Sequence, residues 1–319
     1  MSDEQTGTVL VTGAAGFIGS HLCDRLLAEG RRVVAVDDLS SGRIANLAEA
    51  RSYGKEFNFE HFDIRADGLA AIFERHRPEV VMHMAAQASV NVSTADPLFD
   101  ADVNVLGTVN LLQCAVRSGT RKIVYSASGG TLYGEPRRFP VKETAHPGSR
   151  PMSPYGLSKK TAGEYLWLYT RFKAIDHTQL ALANVYGPRQ DPHGEAGVVA
   201  IWSQRMLAGE RCRINGDGNQ TRDFVFVTDV VDAFAKAIDA GSGKVLNVGT
   251  GLETSVNHLY RMLADICGVT EEPDYGALPG GEVRRISLDP GLAEQEIGWK
   301  PWTHLEDGLG ETVAFMKGI

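Results

Sequence analysis

Thr8-Val9-Leu10-Val11-Thr12-Gly13-Ala14-Ala15-Gly16-Phe17-Ile18-Gly19 is the stretch whose reading decides the fold. Its first five residues form an unbroken β-branched and apolar run, the pattern of a strand buried on both faces. The pattern then changes period: Phe17 to Glu29 reads as a helix, stopped by Gly30. Between strand and helix lie three glycines in a G-x-x-G-x-x-G spacing, a variant of the commoner G-x-G-x-x-G. In that context one glycine permits a tight turn, one lets backbone approach a phosphate, and one allows helix and strand to pack closely. The helix N-terminus adds free N–H groups and a positive dipole end. Gly13, Gly16, Phe17, Ile18 and Gly19 are therefore expected to seat the pyrophosphate of a dinucleotide.

Working outward, Val33–Asp37 reads as a second strand, Phe57–Phe62 as a third and Val80–His83 as a fourth. A helix over 66–75 stops before Arg77-Pro78, a long helix covers about 98–118, and Lys122–Ser126 makes a fifth strand. Apolar strands alternating with helices predict an α/β fold: a doubly wound parallel (Rossmann) sheet covered on both faces. Beyond Ser126 the pattern loosens. Residues 134–154 read as a surface loop. A strand near 178–183, a helix near 197–208, a strand at 222–227, a helix at 229–240, a strand at 244–248 and helices over 255–267 and 304–317 follow. The expected division is a dinucleotide-binding domain over 1–178 and a smaller C-terminal α/β substrate-binding part over 179–319, with a boundary that interleaved elements can blur.

Composition narrows the function. A net charge of −8, with no basic block longer than Arg137-Arg138 or Arg284-Arg285, argues against a nucleic-acid surface. Cys23, Cys114, Cys212 and Cys267 form no C-x-x-C, so neither a metal site nor a disulfide framework is expected. No stretch approaches 18 apolar residues and the N-terminus has no apolar h-region. The expectation is a soluble, cytoplasmic chain with no membrane partner.

Asp37 closes the second strand about twenty residues after the glycines, where a carboxylate accepts from both ribose hydroxyls. Asp37 and Asp38 would repel a 2′-phosphate, which favours NAD over NADP. Arg43, beyond Ser40-Ser41-Gly42, is the argument the other way. Asp63 and Ile64, after the third strand, are candidates to border the adenine.

Tyr155 and Lys159 lie four apart, on one face of any helix that carries them. An ammonium beside a phenol favours the phenolate, so the Tyr155 pKa is expected to fall. Ahead of them runs Ser126-Ala127-Ser128-Gly129-Gly130-Thr131-Leu132-Tyr133-Gly134, whose Ser128 or Thr131 can bond a sugar oxygen and relay its proton to Tyr155. His83, Tyr133 and Trp202 read as packing residues, and Asp229 as a helix N-cap.

Nine segments together resemble the extended short-chain dehydrogenase/reductases, in particular their nucleotide-sugar 4-epimerases of the UDP-glucose type. They are TGAAGFIGSHL, VDDLSSG, HMAAQASV, NVLGTVNLL, SGGTLYGE, SPYGLSK, ANVYGPRQDPHGEAGVV, GDGNQTRDFVFVTDVVDA and LNVGTG. The resemblance implies 4-epimerisation of a UDP-hexose, UDP-glucose to UDP-galactose, through a 4-keto sugar. Tyr155 would act as base and Lys159 would hold the nicotinamide ribose, in a homodimer paired through the helices at 98–118 and 155–172. It also implies that Ser41, Gly42, Ala85, Ala86, Asn104 and Ser126 border the NAD. For the UDP-sugar it implies contacts from Asn184, Val198, Val199, Arg222 and Glu282, with Ile286 gating the sugar pocket.

Two positions depart from the family pattern. Gly129 stands where Ser or Thr is usual. Pro279 stands where many relatives carry an arginine before Gly281-Glu282, leaving Arg284 or Arg285 to replace it. Gly129-Gly130 cannot supply a dehydratase's acid–base pair, and Asp191 would repel a uronate carboxylate. A bulky Ile286 disfavours N-acetylhexosamines. A uronate or N-acetylhexosamine epimerase, a decarboxylase, a reductase or a non-catalytic NAD-binding protein are the alternatives.

Overall fold

In the computed structural model, which describes residues 7–173, 175–193, 197–277 and 283–318, the opening run becomes β1 (Thr8–Thr12), followed at once by α1 (Phe17–Ala28). The sheet is completed by β2 (Arg32–Asp37), β3 (Phe57–His61), β4 (Val80–His83), β5 (Lys122–Ser128), β6 (Asp176–Leu182) and β7 (Lys244–Val248). All seven strands are parallel, in the order β7-β6-β5-β4-β1-β2-β3.

Strand periodicity assigns the two faces. Val9 and Val11 turn toward Leu22, Cys23 and Leu26 of α1, whereas Leu10 joins the opposite core. That second core takes Leu69 and Phe73 of α2 (Leu69–His76), Leu111 and Leu112 of α3 (Gly107–Ser118) and Ala162 and Leu166 of α4 (Pro154–Lys173). The expected helix over 98–118 is composite: a turn Pro97–Ala101, a π-helical stretch Asp102–Leu106, then α3. Such π segments frequently mark functional sites.

The expected boundary at 178/179 falls inside β6. Three elements from beyond it return to the first layer: β7 forms the sheet edge, α6 (Val227–Lys236) packs Val230 and Phe234 against the α1 side, and α8 (Gly291–Ile297) adds Ala293 and Ile297 to the same core.

The remaining residues build a smaller unit around Tyr186, Trp202, Ile214, Phe224, Phe226, Leu259, Leu263 and Leu309. It uses α5 (Val198–Leu207), α7 (Val256–Cys267) and α9 (Leu305–Lys317), with short paired strands. One is Asn184–Tyr186 alongside Phe224–Phe226. The expected strand over 222–227 is broken at Asp223. That residue turns a fully buried carboxylate inward, where it accepts from the N–H groups of Thr250 (2.9 Å), Gly251 (3.0 Å) and Leu288 (3.0 Å). Asp229 is not an N-cap either: α6 starts two residues earlier. Its carboxylate instead accepts from Trp302 N–H (2.9 Å) and Thr303 N–H (3.0 Å), tying α6 to the chain before α9.

Candidate active site

Strand order reverses between β1 and β4, which opens a crevice at their C-terminal ends, the usual ligand position in such sheets. The glycines divide the labour there. Gly13 has φ +64°, and a Cβ on it would lie 2.8 Å from the Ala85 nitrogen. A Cβ on Gly19 would lie 2.1 Å from Gly13 O, so only glycine lets α1 seat against the turn. Gly16 is the N-cap of α1; no side chain caps it and no acid stands in the first turn. Free donors with a positive dipole end fit a pyrophosphate.

Asp37 is fastened at the rim of this cradle. Its Oδ2 accepts from Ala15 N–H (2.9 Å) and its Oδ1 from Leu39 N–H (2.8 Å). Burial raises its pKa, and those two bonds pull it back. Gly42 abuts it: a Cβ there would sit 2.7 Å from Asp37 Oδ1. Asp38 is exposed and accepts from Ser40 Oγ (2.6 Å), while Ser41 is exposed beside it. The carboxylate of Asp63, expected at the adenine, is taken by Arg65 Nη2 (2.6 Å), which holds it below the usual range. Ile64 is buried; Ala85, Ala86 and Ser126 are part-buried along the crevice.

The second cluster forms where β5 ends against the start of α4. Ser128 is the hydroxyl that acts on the Tyr155 phenol, lowering its pKa against the effect of burial. A side chain at Gly129 would have to displace Leu288, since a Cβ there would lie 2.3 Å from its Cδ1 and 3.1 Å from Ala181 O. Thr131 Oγ1 is buried with no hydrogen-bond partner, so it has capacity for a ligand.

The expected acidification of Tyr155 is not found in the protein alone. Burial pushes the phenol up to about 12, the Ser128 hydroxyl pulls it down and Asp100 pushes it up. Lys159 is 3% exposed, its Nζ 4.7 Å from the centre of the Tyr125 ring. Burial lowers its pKa to about 7, against the opposing pull of Asp100. In so dry a pocket both charged forms are penalised, and burial is the main cause of both shifts.

Several expected ligand contacts are redirected. Asn104 is buried and spent on protein: its Oδ1 accepts from Gln87 N–H (2.9 Å), and its Nδ2 reaches Ser158 Oγ (3.1 Å) and Asp100 Oδ1 (3.1 Å). It braces α4 rather than facing a cofactor. Ile286 is buried with Leu132, Tyr133 and Val141. Val199 points into the core of the smaller unit and Val198 is only part-buried. Arg284 pairs with Asp217 (3.4 Å) and Arg285 with Glu253 (2.7 Å), both arginines at the exposed surface. Asn184 is exposed, and Arg222 donates to Thr221 O (2.9 Å). Pro279, Gly281 and Glu282 lie outside the described residues.

The sequence reading missed the supports of this site. Thr12 Oγ1 accepts from Met84 and Ala85 N–H (both 3.1 Å), so its hydroxyl proton goes to His83 Nδ1 (2.8 Å). His83 Nε2–H then donates to Thr108 Oγ1 (2.9 Å), and Thr108 to Asn104 O (2.6 Å). This relay fixes the crevice loop to the π segment. Burial and Lys159 lower the His83 pKa to about 3, which keeps the ring neutral. It packs against Tyr125, as a structural histidine should. Tyr133 donates to Asn247 Oδ1 (2.6 Å), anchoring the Ser128 loop to β7. No spacing rule flags such partners, because they meet across 71 and 114 residues of chain.

The fold and this cradle define a dinucleotide-binding α/β protein with a tyrosine at the crevice. The pattern of the NAD dependent epimerase/dehydratase family matches residues 9–249. The UDP-glucose 4-epimerase of Mycolicibacterium smegmatis is 49% identical over 97% of this chain and 98% of that protein. A crystal structure of UDP-glucose 4-epimerase with UDP-glucose from Thermotoga maritima superposes with a TM-score of 0.93 at 44% identity, covering 98% and 99% of the two chains. The Thermus thermophilus UDP-glucose 4-epimerase complex with NAD gives 0.90 at 38% identity, covering 98% and 99%. The chain belongs to the NAD-dependent epimerase/dehydratase family, and its dinucleotide is NAD.

Proposed function

We infer that this protein is a UDP-glucose 4-epimerase, an isomerase that interconverts UDP-glucose and UDP-galactose through a 4-keto sugar. The observation that carries the reading is Tyr155 at the start of α4, followed one helical turn later by buried Lys159, with an uncapped glycine turn at the same crevice. Bound NAD supplies a hydride acceptor that can return what it takes. Gly13, Gly16, Gly19 and Asp37 hold it, Lys159 holds its nicotinamide ribose, and Tyr155 receives the C4 hydroxyl proton and gives it back. Ser128 orients that hydroxyl, and Thr131 offers its unpaired oxygen to the sugar. Asn184 and Arg222 serve the UDP end. Incubation of the purified protein with UDP-glucose, UDP-glucuronate and UDP-N-acetylglucosamine tests the reading: UDP-galactose should form from the first without added oxidant. A net redox product, or turnover of another sugar alone, would overturn it.

The protein functions as a homodimer in this reading. Leu98, Leu106, Leu157, Trp167 and Phe172 are large apolar side chains exposed along the 97–118 and 154–173 helices. Large apolar side chains left exposed on neighbouring helices support an association site there. Light scattering on the purified protein should give twice 34.5 kDa. Among the described residues no helix is long and apolar enough to cross a membrane.

A further inference from the structure

Arg43 and Asp191 carry separate arguments in the sequence, one toward a 2′-phosphate and one against a carboxylated sugar. In the structure they are a single ion pair, Arg43 Nη2 to Asp191 Oδ1 at 3.0 Å. Arg43 is rooted on the glycine turn. Its N–H donates to Ala15 O (3.0 Å), a carbonyl that also accepts from Asn46 Nδ2 (2.9 Å). Its neighbour Gly42 is the residue pressed against Asp37. An arginine so close to the ribose carboxylate is the group that accommodates a 2′-phosphate in dinucleotide folds.

Asp191 is held from its own side. Its Oδ1 accepts from His193 N–H (3.1 Å). The preceding loop is lashed to α1 by Arg189, whose Nη1 meets Asp24 Oδ2 at 2.6 Å, and by Pro188 O with His21 Nε2 (2.9 Å). Arg189 adopts φ +67°, a left-handed conformation that costs energy for a non-glycine residue and persists where surrounding contacts impose it. The carboxylate that meets Arg43 is therefore delivered by a fixed loop.

We propose that Asp191 is a specificity-determining residue for the dinucleotide: it pins and neutralises Arg43, the cation that would otherwise meet a 2′-phosphate at the ribose end of the cradle. Selection of NAD over NADP is then made by two carboxylates, Asp37 from the first layer and Asp191 from the chain beyond β6. The proposal rests on NAD being the cofactor.

The test reads the nucleotide retained rather than turnover. Protein is equilibrated with equal excesses of NAD and NADP and desalted, and the nucleotide released by acid is quantified by chromatography. Asp191→Asn should raise the NADP-to-NAD ratio about tenfold, the scale of one charge-assisted hydrogen bond. Arg43→Ala combined with Asp191→Asn should return the ratio to the wild-type value. The pair is half-exposed, so both variants should fold, which thermal melting checks. An unchanged ratio in Asp191→Asn, a gain that survives in the double variant, or loss of both nucleotides from a folded Asp191→Asn would each overturn the proposal alone. A wild type that retains neither dinucleotide, or prefers NADP, would overturn the cofactor reading and this proposal with it.

Discussion

The two regions of the molecule are held by different forces. The seven-stranded layer is built from continuous apolar strands with a core on each face. The smaller unit has strands of two or three residues and depends on buried polar knots: Asp223 gathering three chain segments, Asp229 gathering the approach to α9. A regular sheet satisfies its own backbone, so apolar burial can do the rest. Irregular chain has no ladder, and a carboxylate with several acceptor sites organises it instead. In the proposed reading the chemistry belongs to the first region, and contacts to the sugar nucleotide are expected from the second.

The largest effect should separate chemistry from recognition. Tyr155→Phe removes the proton acceptor and should lower kcat by about 10³-fold with NAD still bound. Arg222→Ala should raise KM about tenfold or more with kcat nearly kept. Steady-state kinetics on UDP-galactose would break the comparison if both variants lost kcat alone.

Next in size, Asp223→Ala leaves three buried N–H groups unpaired and should destabilise by about 3–5 kcal/mol. Leu10→Ala in the sheet should cost about 2–5 kcal/mol through its cavity. Urea unfolding measures both. A near-neutral Asp223→Ala would show that the polar knots are not what holds the smaller unit.

A smaller effect follows from the dry pocket. Lys159 titrates near 7 when folded against 10.5 in the unfolded chain. Between those values the unfolded chain binds a proton that the folded one lacks, so stability rises with pH across that window. Lys159→Met removes this slope. The wild type should therefore gain stability relative to the variant from pH 7 to about pH 10, read as a difference of melting temperatures.

The smallest change belongs to the surface. Arg43→Ala should alter stability by less than about 1 kcal/mol, because that pair is half-exposed. A larger loss would mean that the two regions are fastened there as well.

How legible each part was in the sequence follows from the same contrast. Strand β1, the glycine turn, Asp37 and the pair Tyr155 and Lys159 are local patterns, readable because periodicity and helical spacing act within a few residues. The whole of β7 was legible too, but not its place at the sheet edge, since a buried strand looks alike in any layer. Gly129 looked like a missing hydroxyl. It is a packing requirement set by Leu288, 159 positions away along the chain.

The sequence by itself determined a doubly wound sheet, a dinucleotide seat and a tyrosine–lysine helix, because each is encoded by neighbours along the chain. Only tertiary structure decided that the Ser128 hydroxyl acts on the Tyr155 phenol, that Asn104 is tied to Gln87 and Ser158, and that Arg43 is claimed by Asp191. It also decided the protonation of the site. A pKa depends on how much water folding removes from a group, and residue spacing carries no record of that.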